Sequence, residues 1–334
     1  MKKKIYYQVC ALALSLSMLT GCSTSTSTTE ELTHVTLNEV AHSIFYAPQY
    51  VAIELGYFEE EGINLELVTG FGADNTMVAL LTDEADIGFM GPEASIYTYA
   101  NGATEYPINF AQLTQRAGNF VVAREPIEDF DWSMLIGSTV LAGRAGGMPQ
   151  MVFEYILAKN GIDPSSDLNM DQSIDFGSTA AAFSGGQGDY TIEFEPYATS
   201  LALKGDGYVV ASLGEESGYV PYTAYCAMSD YMEENEDIIL AFIRAIKKGV
   251  EYVNEHTAEE IAEVIQPQFE ETDLESIATI VERYQEQDTW KESLIFEEES
   301  FTLLQDILIQ CNELETAVPY EDLVTTTYAE SLLN

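Results

Sequence analysis

Apolar and polar residues alternate strictly over Ile63-Asn64-Leu65-Glu66-Leu67, the mark of a half-buried strand. The same period of two runs through Val35-Thr36-Leu37-Asn38-Glu39-Val40, which predicts a first strand. Between them lie a loop over 41–47 and a helix running to about Phe58, with Pro48 in its first turn, where a missing N–H costs nothing. Gly70-Phe71-Gly72-Ala73-Asp74 reads as a glycine turn opening a helix over about 75–82. Asp86 to Met90 then reads as a third strand, and Gly91-Pro92-Glu93 as another helix start. Successive strand, loop and helix units imply a parallel sheet covered by helices.

The pattern recurs further on. A strand near 138–142 is followed by a glycine turn over 143–147 and a helix over about 149–160, closed by Gly161. A helix near 178–184 leads through Gly185-Gly186 to a strand over 189–194, and Glu195-Pro196 begins the next helix. Strand-like segments return at 208–212 and 223–228, and Gln112-Leu113-Thr114-Gln115-Arg116 ends an apolar strand. From Asn235 onward the spacing of Ile238, Phe242, Ile246, Gly249 and Val253 is helical. Two α/β units and a helical C-terminal region are expected within 334 residues.

The first residues change the picture. Lys2, Lys3 and Lys4 precede a short apolar stretch, Ile5 to Leu19, too short for a bilayer-spanning helix and typical of an export signal. Leu19-Thr20-Gly21-Cys22 resembles the bacterial lipobox, which implies cleavage before Cys22 and diacylation of that thiol. Ser23 to Thr29 is all Ser and Thr and cannot bury a core, so 22–32 is expected to tether the folded part to the membrane.

Hydrophobic residues make up 46% of the chain and charged residues 21%, the balance of a globular protein. Net charge is −43, and loss of the three leader lysines makes it −46. Nucleic acid is thereby excluded as a partner, because phosphate binding needs a basic surface. Short runs such as Glu59-Glu60-Glu61 and Glu297-Glu298-Glu299 read as solvated faces. Only Cys226 and Cys311 remain in the folded part. Their pairing is open to an exported protein, but Cys226 lies in an apolar run, so two buried thiols is the preferred reading. Neither they nor the scattered His34, His42 and His256 have metal-site spacing, and no metal or cofactor is expected.

Tyr46-Ala47-Pro48-Gln49-Tyr50-Val51-Ala52, Gly56 to Ile63, Gly70-Phe71-Gly72-Ala73 and Ala85-Asp86-Ile87-Gly88 together resemble the SsuA/THI5-like (NMT1) group of periplasmic-binding-protein-like domains, over roughly residues 33 to 250. The resemblance implies a type II binding-protein fold, two α/β lobes with a ligand cleft between them. It also implies a small-molecule ligand delivered to an ABC permease and its ATPase. The expected division is a signal peptide over 1–21, a tether over 22–32, a first lobe over 33–123 plus 219–334 and a second over 124–218, with crossings near Arg124 and Gly218. A monomer anchored on the outer face of the membrane is expected. Relatives in this group capture thiamine pyrimidine precursors, flavins, or small anions such as sulfonates, taurine and nitrate. The same fold group includes pyrimidine synthases with a Cys-rich motif and an iron-binding histidine, whereas no Cys lies between 22 and 226 here. No Gly-x-Ser-x-Gly elbow is present either, so a binding role is preferred to an enzymatic one.

Candidate ligand contacts follow from position. In open α/β sheets ligands sit beyond the carboxyl ends of strands, near helix N-termini. Gly72, Gly91, Pro92 and Gly146 lie in such turns and allow close backbone approach, or simply make turns. Phe45, Tyr46, Phe71, Phe120, Phe183 and Tyr222 are candidates to hold a planar ring, with core packing as the alternative. Glu93, Glu193 and Glu195 can accept from amino or ring N–H groups, although Glu195 can instead cap a helix. Gln115, Arg116 and Arg144 complete the set, the two arginines facing either a ligand anion or the abundant carboxylates. A planar nitrogen heterocycle is the expected ligand, with a small anion as the alternative.

Overall fold

The computed structural model describes residues 32–143, 145–174 and 177–333. The expected signal peptide, Cys22, nearly all of the tether and Arg144 lie outside the described residues.

Among the described residues, ten strands form two five-stranded sheets. They are β1 (Thr33–Glu39), β2 (Ile63–Thr69), β3 (Ile87–Met90), β4 (Pro107–Thr114), β5 (Asn119–Ala123), β6 (Thr139–Leu141), β7 (Asn169–Asp171), β8 (Tyr190–Phe194), β9 (Tyr208–Ser212) and β10 (Thr223–Met228). The first sheet runs β2-β1-β3-β10-β4 and the second β7-β6-β8-β5-β9. In each, four strands run in one direction and the fifth, the one arriving from the other lobe, runs against them: β10 lies between β3 and β4, and β5 between β8 and β9. Both lobes thus carry one plan, and the chain passes between them twice.

The first crossing falls at 115–118, ahead of the expected Arg124, because Asn119–Ala123 pairs with β8 and β9. Pattern alone could not assign it, since β5 is buried at every position and shows no alternation. The return runs between Ser212 and Thr223. The helix expected from Pro48 to Phe58 is two, Ala47–Glu54 and Tyr57–Glu60, because Gly56 adopts φ +74° between them. The short strand β7 was not expected.

In the first lobe the ring of Phe89 stacks on Tyr225 at 4.2 Å, and Phe242 packs edge-on to Tyr225 at 5.1 Å and tilted against Phe58 at 5.3 Å. Phe242 belongs to the helix Glu236–Glu255, whose buried stripe is Ile239, Phe242, Ile246, Gly249 and Val253, while Ile238 is only partly covered. A Cβ on Gly249 would stand 2.1 Å from the carbonyl oxygen of Pro48, so this glycine sets how closely that helix meets Ala47–Glu54. We expect Gly249→Ala to push the two helices apart and cost about 1–3 kcal/mol in urea unfolding. An unchanged midpoint would show that the contact yields freely. Cys226 is fully buried and Cys311 partly so, and both are free thiols.

Candidate functional site

The seam between the lobes is built from strand ends. Because β1 is parallel to both β2 and β3, with Glu39 opposite Thr69 and Phe89, the turns after all three strands leave the same edge of the first sheet. Glu39 holds that edge together. Its fully buried carboxylate accepts from Gln49 Nε2 at 2.8 Å, Tyr50 OH at 2.8 Å and Thr69 Oγ1 at 3.0 Å, and lies 2.8 Å from His42 Nδ1. Burial alone would lower the His42 pKa. Its hydrogen bonds to Glu39 and to the Gln268 carbonyl, with the Glu39 charge, outweigh that and raise it.

After β1, Ser43 caps a short 3-10 turn, Ile44–Tyr46, and its hydroxyl donates to the Glu195 carbonyl of the second lobe at 2.9 Å. Phe45 lies in an aromatic knot with Tyr46, Phe194, Tyr222 and Tyr284, ring centroids 5.2–5.9 Å away. It is fully buried, and Gly118 in the crossing segment leaves it room: a Cβ there would sit 2.6 Å from the ring. Phe45 therefore pins the crossing and presents no open face. Tyr46 packs edge-on to Phe89 at 4.5 Å, and Tyr222 donates to Asn119 Oδ1 at 2.6 Å.

Glu93 is the first residue of the helix Glu93–Ala100 and is only 5% exposed. Its Oε2 has no hydrogen-bond partner, and the hydroxyl of Ser95 is likewise buried and unpartnered. The carboxyl folds back over Gly91, whose Cβ position would fall 2.0 Å from Oε2, so a side chain there would displace the Glu93 carboxyl. Burial pushes its pKa up to about 8. Tyr46 and Tyr222 stand close enough to feel it: burial first, and then neighbours including Glu93, hold both hydroxyls well above the usual tyrosine range.

From the second lobe, Glu193 near the end of β8 accepts from Thr191 Oγ1 at 2.6 Å and Thr179 Oγ1 at 3.1 Å. Burial pushes its pKa up to about 7. It lines a narrow recess with Asn119, Gly143, Thr179 and Phe194. Asn119 joins the two halves of the site, since it lines this recess and accepts from the Tyr222 hydroxyl. Gly143 and Gly146 both have positive φ, and the Gly146 carbonyl accepts from Tyr97, on the helix carrying Glu93, at 3.4 Å. Gly146 thus faces the first lobe.

Several expected site residues have structural partners instead. Phe183 is fully buried beneath the guanidinium of Arg124, 4.0 Å from its ring centroid, and belongs to the second lobe's interior. Glu195 accepts from Thr199 N at 2.9 Å and Thr199 Oγ1 at 3.0 Å, the helix-capping alternative, and also from Arg283 Nη1 at 2.6 Å. Gln115 donates to the carbonyl of Asp288 at 3.2 Å, and Arg116 to that of Gly214 at 3.0 Å while lying over the Tyr219 ring at 4.2 Å. These two brace the crossing segments. Phe120 packs on Tyr284 at 5.9 Å. Sequence reasoning passed over Asn119, Thr179, Ser95 and Tyr97. A polar Asn heading the apolar run Phe120-Val121-Val122 was the one available signal.

This geometry can be set beside known proteins. The NMT1/THI5-like family model matches residues 44–260. The chain belongs to the NMT1/THI5-like family. Over 303 residues it is 46% identical to the "Putative binding protein YtlA" of Bacillus subtilis, covering 91% of each chain. It is 24% identical over 296 residues to the formylaminopyrimidine-binding protein of Halalkalibacterium halodurans, covering 83% of this chain and 86% of that one. Among solved structures it resembles the alkanesulfonate-binding protein SsuA from Xanthomonas axonopodis pv. citri bound to MOPS. The TM-score is 0.70 at 15% identity, over 89% of this chain and 99% of that one. The fold is that of the periplasmic binding proteins. Among the described residues, no helix of this family member is long and apolar enough to cross a membrane.

Proposed function

We propose that the chain is the solute-binding component of an ABC importer, anchored through Cys22 on the outer face of the membrane, and that its solute is a planar nitrogen heterocycle of the pyrimidine-precursor type. The observation that carries the ligand reading is the Glu93 carboxyl, buried at the lobe seam with Oε2 unpartnered. A buried polar atom without a partner is costly, and a solute N–H arriving at it removes that cost. Glu193 supplies a second acceptor from the other lobe, Asn119 an amide, and Tyr46 and Tyr222 aromatic walls. The similarity to a formylaminopyrimidine-binding protein points the same way.

A sulfonate or nitrate would have to lie beside two carboxyls. Arg116, one of the two arginines considered for an anion, donates through Nη1 to the Gly214 carbonyl and lies over the Tyr219 ring, which leaves its buried Nε unpartnered. Binding is the whole activity in this reading: the solute is held by closure of the lobes about 115–118 and 213–222 and handed unchanged to a permease. Calorimetric titration with hydroxymethylpyrimidine, its formylamino relative, taurine and an alkanesulfonate tests it. We expect micromolar binding of a pyrimidine, about −8 kcal/mol, with the solute recovered at unaltered mass. Binding of a sulfonate with no heterocycle bound would replace this reading with the anion one.

A further inference from the structure

Phe71 has two costs that nothing around it offsets. It is 75% exposed, the most exposed large hydrophobic side chain among the described residues, and its φ is +56°, a conformation bulky L-residues rarely adopt. The other positive-φ residues besides glycine are Asp83, Asp288 and Asn312, which are polar, and Leu294, whose side chain is 1% exposed. Among the described residues, Phe71 alone combines strain with an uncovered ring.

Nor is the ring displayed by a slack loop. Gly70 N donates to the Glu39 carbonyl at 2.8 Å and Gly72 N to the Val40 carbonyl at 2.9 Å, so hydrogen bonds to the end of β1 clamp both flanks. Asn75 Nδ2 donates to the Gly70 carbonyl at 2.6 Å, and a Cβ on Gly70 would strike Asn38 Oδ1 at 2.6 Å, so the turn sits as close to the sheet as glycine permits. β1 alone separates β2, which ends at this turn, from β3, which leads to Glu93. Two strand spacings place the two turns roughly 10 Å apart along one edge of the sheet. One small ring with its substituents spans that gap.

We propose that Phe71 is the capture ring of the first lobe, a specificity-determining residue that stacks on the solute's aromatic face while Glu93 receives its N–H. Strain and exposure in the empty protein are then compensated on binding. The assignment rests on the heterocycle reading above. The intact chain is titrated with hydroxymethylpyrimidine alongside its Phe71→Ala, Phe71→Tyr and Phe71→Gly variants. Phe71→Ala should weaken binding roughly ten- to a hundredfold, and Phe71→Tyr should restore it. Phe71→Gly should bind as poorly as Phe71→Ala yet melt at a higher temperature than wild type, since glycine takes this φ freely. A wild-type chain that binds no pyrimidine removes the heterocycle reading and this assignment with it. If wild type binds and Phe71→Ala binds equally well, the heterocycle reading stands and the capture ring alone is overturned. Lost import with undiminished binding would also overturn it, placing the ring on the permease instead.

Discussion

Glu93→Gln should weaken capture of hydroxymethylpyrimidine by roughly ten- to a hundredfold while making the empty protein more stable at alkaline pH. The first effect is expected above about pH 8, where the Glu93 carboxyl is ionised and the substitution exchanges a hydrogen bond to a charged group, worth about 1.5–3 kcal/mol, for one to a neutral amide. The second follows from linkage. Burial holds the Glu93 carboxyl at about 8 in the folded chain, against the ordinary 4.5. Between those values the folded state binds the extra proton, so stability falls as pH rises. The stabilising contribution is fully present below about pH 4.5 and lost by about pH 8. At about 1.4 kcal/mol for each unit of pKa, the loss is on the order of 5 kcal/mol. Gln has no proton to lose. The difference in urea stability between variant and wild type should therefore grow in the variant's favour across that window and level off above it. Glu193, pushed to about 7 by burial, adds a smaller loss of the same sign, over a narrower pH window, that both proteins share. A pH-independent difference would show that the Glu93 carboxyl is solvated in the empty cleft.

The second large effect is expected at the brace between the lobes. Arg283, on the helix Leu274–Glu286, reaches into the second lobe and donates to Glu195 Oε1 at 2.6 Å and Thr199 Oγ1 at 2.9 Å. The Glu195 side chain is wholly buried, whereas that of Arg283 is 30% exposed. Arg283→Met leaves the carboxylate with its Thr199 bonds but no countercharge, which we expect to cost about 2–3 kcal/mol, the lower end for a broken buried pair because solvent reaches the arginine. Adding Glu195→Gln should return part of that loss, since the uncompensated charge is then gone. Urea unfolding of the two single variants and the double variant gives the coupling directly. A loss below about half a kcal/mol for Arg283→Met would mean that the pair adds little to the joint between the lobes.

Both effects concern atoms whose role depends on folding, and this divides what could be read early from what could not. Period-two alternation marked β1 and β2; in β2 one face is covered and the other exposed, whereas β1 is buried on both faces from Leu37 to Glu39, its polar positions being taken up by hydrogen bonds. The glycine turns at 70–72, 91 and 143–147 could be read because glycine before a helix has a narrow set of uses, and Glu93 stood out as the acid opening such a helix. The family resemblance carried the two-lobed fold. Where burial is uniform the signal vanished: β5 has no polar face, and the first crossing was placed too late as a result.

Within the site, residue type suggested roles that only partners could decide. Glu93, Glu193 and Glu195 are the same chemical group, each close to the end of a strand. One is left with an unpartnered oxygen, one is held by two threonine hydroxyls, and one caps a helix and pairs with an arginine 88 positions away in sequence. Phe45, Phe71 and Phe183 likewise became a pin at the crossing, an exposed ring and interior packing. Local sequence determined the strands, the turns and which polar groups stand at their ends, because backbone preferences and hydrophobic period act over a few residues. Tertiary structure alone decided which of those groups find partners, because hydrogen bonding and desolvation depend on neighbours that distant segments bring together.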